Sequence, residues 1–167
     1  MNSEKILALW AKMGSNALTR AMFSKMFSWS IPYTGTIGAE IVALSPGKAH
    51  IEMKDRRAFR NHLGSIHAVA LANLGEFSTG LALTVSLPAD ARIIIKSLEI
   101  SYLKKARGTL QARATTPVQS RVETRSEVWV QSQIFDRDQN IVSEVKACWV
   151  VGPKKNDSVK KADGTKK

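Results

Sequence analysis

Cysteine occurs once in the 167 residues, at Cys148, so an internal disulfide is excluded and a reducing compartment, the cytoplasm, is the expectation. No apolar run approaches the length of a membrane span. The longest N-terminal candidate, ILALWA, is too short for the core of a signal peptide. GxGxxG and the phosphate loop GxxxxGKS or GxxxxGKT are both missing, which removes the usual glycine cradles for dinucleotides and nucleoside triphosphates. HExxH and CxxC are missing too. With three His and one Cys, a zinc site would have to recruit carboxylates, and His62 and His67 are not spaced as a usual ligand pair. A metal centre is therefore not expected.

What is present is apolar residue and positive charge. At 44% hydrophobic, the chain has enough apolar material for the core of one soluble domain. The net charge is +11. Residues 153–167, PKKNDSVKKADGTKK, hold six Lys against two Asp, so this tail supplies +4 and leaves +7 for the rest. A Lys-rich tail with so little to bury is expected to be disordered. The remaining charge favours an anionic partner: nucleic acid, acidic lipid or a phosphorylated small molecule. No aromatic cluster for base stacking accompanies the basic runs, so specific nucleic-acid binding is not expected.

Three regions differ in pattern. Residues 1–34 form an N-terminal amphipathic helical segment, with apolar residues from Ile6 to Phe27 set among Lys5, Lys12, Arg20 and Lys25. It is expected to bend near Gly14–Ser15 and to end before Pro32. Such a segment can lie on a membrane surface; docking on its own domain is the expectation. Residues 35–152 read as the main domain. Thr36–Leu44 and Ala49–Lys54, joined at Ser45-Pro46-Gly47, predict a hairpin. A long helix is expected from Ile66 to about Val85, apolar almost all round. Four strands follow, in ARIIIKSLEISYLKKA, TLQARATTP, ETRSEVWVQSQIFD and NIVSEVKACWVVG. The order β-β-α-β-β-β-β fits an α+β domain in which a long antiparallel sheet wraps one central helix.

The helix poses the chemical question. Glu76 lies in the middle of RNHLGSIHAVALANLGEFSTG, residues 60–80, and apolar surroundings raise the basicity of a carboxylate toward the range of a general base. Gly75 and Gly80 each cost roughly 1 kcal/mol relative to Ala in a helix, so close approach of another backbone or of a ligand is expected there. At the entrance, Gly64 allows a turn and Ser65 is the expected cap. The same entrance offers oriented N–H groups suited to polarising a carbonyl. His67, one turn in, either bonds locally or takes part in catalysis. It lies nine residues before Glu76, on the opposite face and roughly 13 Å away along the axis. One copy cannot bring both ends onto one substrate; two antiparallel copies can, which predicts a symmetric dimer.

These residues resemble the signature of hotdog-fold acyl-CoA thioesterases, most nearly the phenylacetate-pathway type and a related domain-of-unknown-function branch. The resembling pattern is an Asn, a Gly three later, a His-Gly-Gly and an acid fifteen after the Asn; here these are Asn61, Gly64, His67-Ala68-Val69 and Glu76. The resemblance implies the hotdog fold and hydrolysis of an acyl-CoA or acyl-carrier thioester, without metal or organic cofactor, by a homodimer or homotetramer. It implies Glu76 as general base or nucleophile, Asn61 as the group orienting water or carboxylate, and the Ala68 amide as the donor polarising the carbonyl from the facing subunit. Gly64, Ser65 and Val69 would line the substrate, with Val69 adding bulk where relatives carry Gly. Arg56, Arg57, Arg60, Lys104, Lys105 and Arg107 are candidates for the CoA phosphates. The alternatives are a non-catalytic acyl- or lipid-binding protein of the same fold and, below it, a hotdog dehydratase or hydratase.

Overall fold

A computed structural model describes residues 2–154. Two helices come first, α1 (Ser3–Met13) and α2 (Ala17–Ser30). The break between them has two causes. Gly14 ends α1 by donating its N–H to the Trp10 carbonyl, and Asn16 caps α2 by accepting from the Thr19 N–H at 3.0 Å. A single turn, α3 (Pro32–Gly35), follows with Pro at its start. Strand β1 (Glu40–Ser45) begins four residues later than expected, because α3 occupies Pro32–Gly35 and Gly38 takes a left-handed φ of 55°.

Strand β2 (Lys48–Met53), the helix α4 (Ala68–Thr84), and strands β3 (Ala91–Tyr102), β4 (Leu110–Thr115), β5 (Ser126–Phe135) and β6 (Ile141–Pro153) complete the chain. All pairs are antiparallel, in the order β1-β2-β4-β5-β6-β3. This is the hotdog arrangement, with α4 lying against β2 to β6. The boundary of the tail shifts slightly. Pro153 pairs with Ala91, and Lys154 is held by its N–H on the Asp90 carbonyl at 2.7 Å and its ammonium on the Ala89 carbonyl. Residues 155–167, where the disordered tail was expected, lie outside the described residues.

The sheet's alternation faces α4. Ala49, Ile51 and Met53 of β2 and Leu110, Ala112 and Ala114 of β4 are all buried, as are Val145, Ala147 and Trp149 of β6. Those of β2 and β4, with Val145, share a core with Leu71, Leu74, Phe77 and Leu81 of the helix, while Ala147 and Trp149 cluster with Leu83. The N-terminal helices join this core through a chain of rings: Trp10 packs edge-on to Phe23 at 5.3 Å, and tilted pairs link Phe23 to Phe27 at 6.1 Å and Phe27 to Phe77 at 5.8 Å. Full burial of each such side chain stabilises the fold by about 1.5–3 kcal/mol.

Two expectations for α4 need correction. The helix is not buried all round, since Ala72, Glu76, Gly80 and Thr84 recur every fourth residue as a half-buried stripe. Nor does Gly75 admit a backbone or ligand; Gly80, by contrast, borders a cavity beside Glu76. A Cβ on Gly75 would run into the Val145 methyls, and one on Gly80 would meet the Trp149 ring at 2.8 Å. Both glycines exist to seat side chains of β6.

Candidate active site

The approach to α4 is a loop stitched on three sides. The Asn61 side-chain oxygen accepts from the Leu63 N–H at 2.9 Å, the Ser65 N–H at 3.2 Å and the Ser65 hydroxyl at 3.2 Å. Gly64 turns the chain at a φ of 67°, with open space where a Cβ would be. Ile66 donates to the Ala106 carbonyl at 2.9 Å, and His67 to the Phe59 carbonyl at 2.7 Å. Asp55 ties the same regions from below, accepting from Arg60 Nε at 2.8 Å and from the Gly108 N–H at 2.9 Å. The Arg60 hydrogen bond holds the Asp55 carboxyl below its ordinary range; partial burial opposes this and the Gly108 N–H reinforces it.

This framework revises the local expectations. Ser65 is not the cap, because its hydroxyl is spent on Asn61. His67 is the cap, not a residue one turn in: its Nδ1 accepts from the Val69 N–H at 3.1 Å. That leaves Ala68, the first helical residue, whose N–H has no hydrogen-bond partner among the described residues. Asn61 likewise commits its oxygen to the loop, and none of those bonds uses its NH2 group. The Ala68 amide and the Asn61 NH2 are thus donors that the loop leaves to a ligand at the entrance. Tyr102, unnoticed in the sequence, reaches over the same turn and donates its hydroxyl to the Ala68 carbonyl at 3.2 Å.

The six basic candidates sit on the two loops that frame this entrance. Arg56, Arg57 and Arg60 precede it, while Lys104, Lys105 and Arg107 lie on the connection that Ile66 and Asp55 hold beside it. All six are exposed. Arg60 is paired with Asp55, Lys104 donates to the Asn140 side chain at 3.1 Å, and Arg56 lies over the Phe59 ring at 5.9 Å. Among the described residues no group of three His, Cys, Asp or Glu side chains could hold a metal ion.

Glu76 is elsewhere. It is half-buried on the open stripe of α4 and lines a cavity of ≈ 230 Å³ with Phe27, Phe77, Leu81, Ile93 and Trp149. Ile31, Thr34, Gly80 and Thr84 complete the wall. The sequence had not connected the N-terminal helices with Glu76, because that contact joins residues about fifty apart through the Phe27–Phe77 packing. Val69 is exposed and lies seven residues before Glu76, on the same face, and does not line this cavity. The entrance donors and the carboxylate are therefore two features of one helix, about 12 Å apart along its axis at 1.5 Å per residue.

The model of a family described as a domain of unknown function, DUF4442, matches residues 19–151. The chain belongs to this family. The DUF4442 match begins inside α2, so the family unit includes the helix whose Phe27 walls the Glu76 cavity. A structural-genomics crystal structure shares 27% of residues, with a TM-score of 0.75 over 90% of this chain and 98% of that one. A Pseudomonas aeruginosa protein called a probable thioesterase is 20% identical, with a TM-score of 0.70, over 84% of this chain and 99% of its own. A phenylacetic acid degradation-related protein of Ralstonia eutropha is 22% identical, with a TM-score of 0.62, over 76% and 97%. These last two show that the fold is shared. No curated protein matches.

Proposed function

We propose that this DUF4442 protein hydrolyses an acyl-CoA thioester at sites shared between two subunits. The observation that carries the reading is the pairing, on one helix, of a free N-terminal donor at Ala68 with a carboxylate that opens onto an apolar cavity two turns on. The cavity walls of Phe, Leu, Ile and Trp suit an acyl chain. The Ala68 N–H, and the helix end behind it, suit the oxygen of the thioester carbonyl as it gains negative charge.

In this reading Glu76 takes a proton from water while the water oxygen bonds to the carbonyl carbon; the C–S bond then breaks and the proton passes to the departing thiolate. In the other route the Glu76 carboxylate oxygen bonds to the carbonyl carbon as the C–S bond breaks and the thiolate leaves, and water then hydrolyses the resulting mixed anhydride to return the carboxylate and release the acid. The Asn61 NH2 orients the water or the carboxylate. The exposed basic residues of the two entrance loops meet the phosphates of CoA. The names given to the Pseudomonas and Ralstonia proteins agree with this chemistry.

The second subunit follows from distance. About 12 Å of helix separates Ala68 from Glu76, too far for one carbonyl group and its attacking water. Strand β3 is twelve residues long and, among the described residues, pairs on one edge only, with β6, which leaves a backbone edge for a second copy. A two-fold axis there would set each entrance against the other copy's Glu76. The reading is tested by hydrolysis of an acyl-CoA panel by wild type, Glu76→Gln and Asn61→Ala. Activity in the wild type with loss in both folded variants is expected. Acyl ligands that bind without turnover in the wild type would instead make it a binding protein.

A further inference from the structure

Helix α2 has two apolar sides, and the core uses only one of them. Phe23 and Phe27 face inward and are buried. Leu18, Met22, Met26 and Trp29 recur at three- and four-residue spacing on another side, and are 73%, 56%, 43% and 90% exposed. Tyr33, at 69%, extends the stripe into α3. A soluble surface rarely leaves a contiguous apolar ridge of this kind without an occupant.

The charge around the ridge decides which occupant. From Lys5 to Ala39 the chain contains no Asp or Glu. Lys5, Lys12 and Lys25 are exposed, and Lys25 borders a groove of ≈ 260 Å³ that runs beside the ridge, lined by Ala21, Ser24, Ser28, Arg56 and Glu40, whose carboxylate lies 3.9 Å from Arg20 Nε. A second copy on this face would bring like charges together. An anionic surface would be attracted, and the exposed Lys25 offers a cation to a phosphate headgroup. Trp29 and Tyr33 are the residue types that settle at the headgroup level of a bilayer.

We infer that the α2–α3 face docks on an anionic lipid bilayer, with Leu18, Met22, Met26 and Trp29 in the outer acyl region and Lys25 on headgroup phosphates. No helix of the described residues is long and apolar enough to cross a membrane, so this is attachment at the surface. Docking does not depend on the hydrolytic reading. It does place the Glu76 cavity beside the lipid, because Ile31 and Thr34 line that cavity just beyond Trp29. If the hydrolytic reading holds, long-chain acyl thioesters that partition into membranes are the substrates this geometry serves.

Vesicle flotation of the full chain tests the inference, using phosphatidylcholine alone and phosphatidylcholine with about a third phosphatidylglycerol. Wild type should float with the anionic vesicles and do so less as salt is raised. The exposed double variant Met22→Ser/Trp29→Ser keeps the whole Lys-rich tail and should bind them about tenfold more weakly or worse, with its melting temperature unchanged. Lys25→Glu should weaken binding to anionic vesicles specifically. Binding by Met22→Ser/Trp29→Ser equal to wild type would overturn the assignment, since attachment would then belong to the tail or another surface. Failure of wild type to float would overturn it too, as would a change of oligomeric state in the double variant without vesicle binding. Hydrolysis of a water-soluble acyl-CoA, followed in parallel, keeps the two readings apart: an inactive wild type that still floats loses the hydrolytic reading and keeps this one.

Discussion

The His67 ring accepts from the Val69 amide, and that bond determines which donor at the helix start is left for a ligand. It makes His67 a cap whose contribution to catalysis is to leave Ala68 free and held in place. Removing the acceptor in His67→Ala should cost about 1 kcal/mol of stability, measured by denaturant titration. His67→Asn, whose side-chain oxygen can also cap, should recover most of that loss and keep hydrolysis within a few-fold of wild type. A histidine acting as acid or base would not be rescued by Asn. Glu76 should behave differently. Glu76→Gln keeps the shape of the cavity wall and removes the base, so turnover should fall by about 10²–10⁴-fold while the melting temperature stays put.

At the scale of elements, α4 and β6 are fitted to each other through missing side chains. Gly75→Ala removes a helix penalty of roughly 1 kcal/mol, but the new methyl would collide with Val145, which is itself buried. Overpacking of about 1–3 kcal/mol should win, so the variant should be less stable by thermal melting. The entrance loop should show its own acid sensitivity. Asp55 titrates below its ordinary value of 3.8 when folded, so its bonds to Arg60 and Gly108 contribute stability above that pH. That contribution is lost as pH falls below 3.8 toward the folded-state value. Asp55→Asn should be less stable than wild type near neutral pH, and the gap should close as melting is followed into strong acid.

The element order and the central helix could be read from hydrophobic period and turn residues, because those patterns are local: Pro46-Gly47 and Arg107-Gly108 mark turns, and the run from Ile66 to Val85 marks the helix. The turn into the helix was legible for the same reason, at Asn61 and Gly64, but its cap was not: the sequence placed it at Ser65, whose hydroxyl bonds Asn61, and His67 takes that role. What else escaped was non-local. Asp55 meets Gly108 across 53 positions, Tyr102 meets Ala68 across 34, and Phe27 reaches Phe77 through tertiary packing. The extra apolar side of α2 was also hidden, because two apolar faces on one helix blur into a single hydrophobic run until burial separates them.

At the scale of the whole molecule the account stands on one claim, that Glu76 serves the entrance of a second copy. Subunit mixing tests it most directly. Glu76→Gln and Asn61→Ala should each be inactive alone. When the two are denatured together and refolded at equal concentration, half the dimers are mixed, and each of these carries one intact site and one doubly defective site. Acyl-CoA hydrolysis should then return to about a quarter of wild type. If Glu76 serves the entrance of its own chain, every site in the mixture keeps a defect and no activity returns.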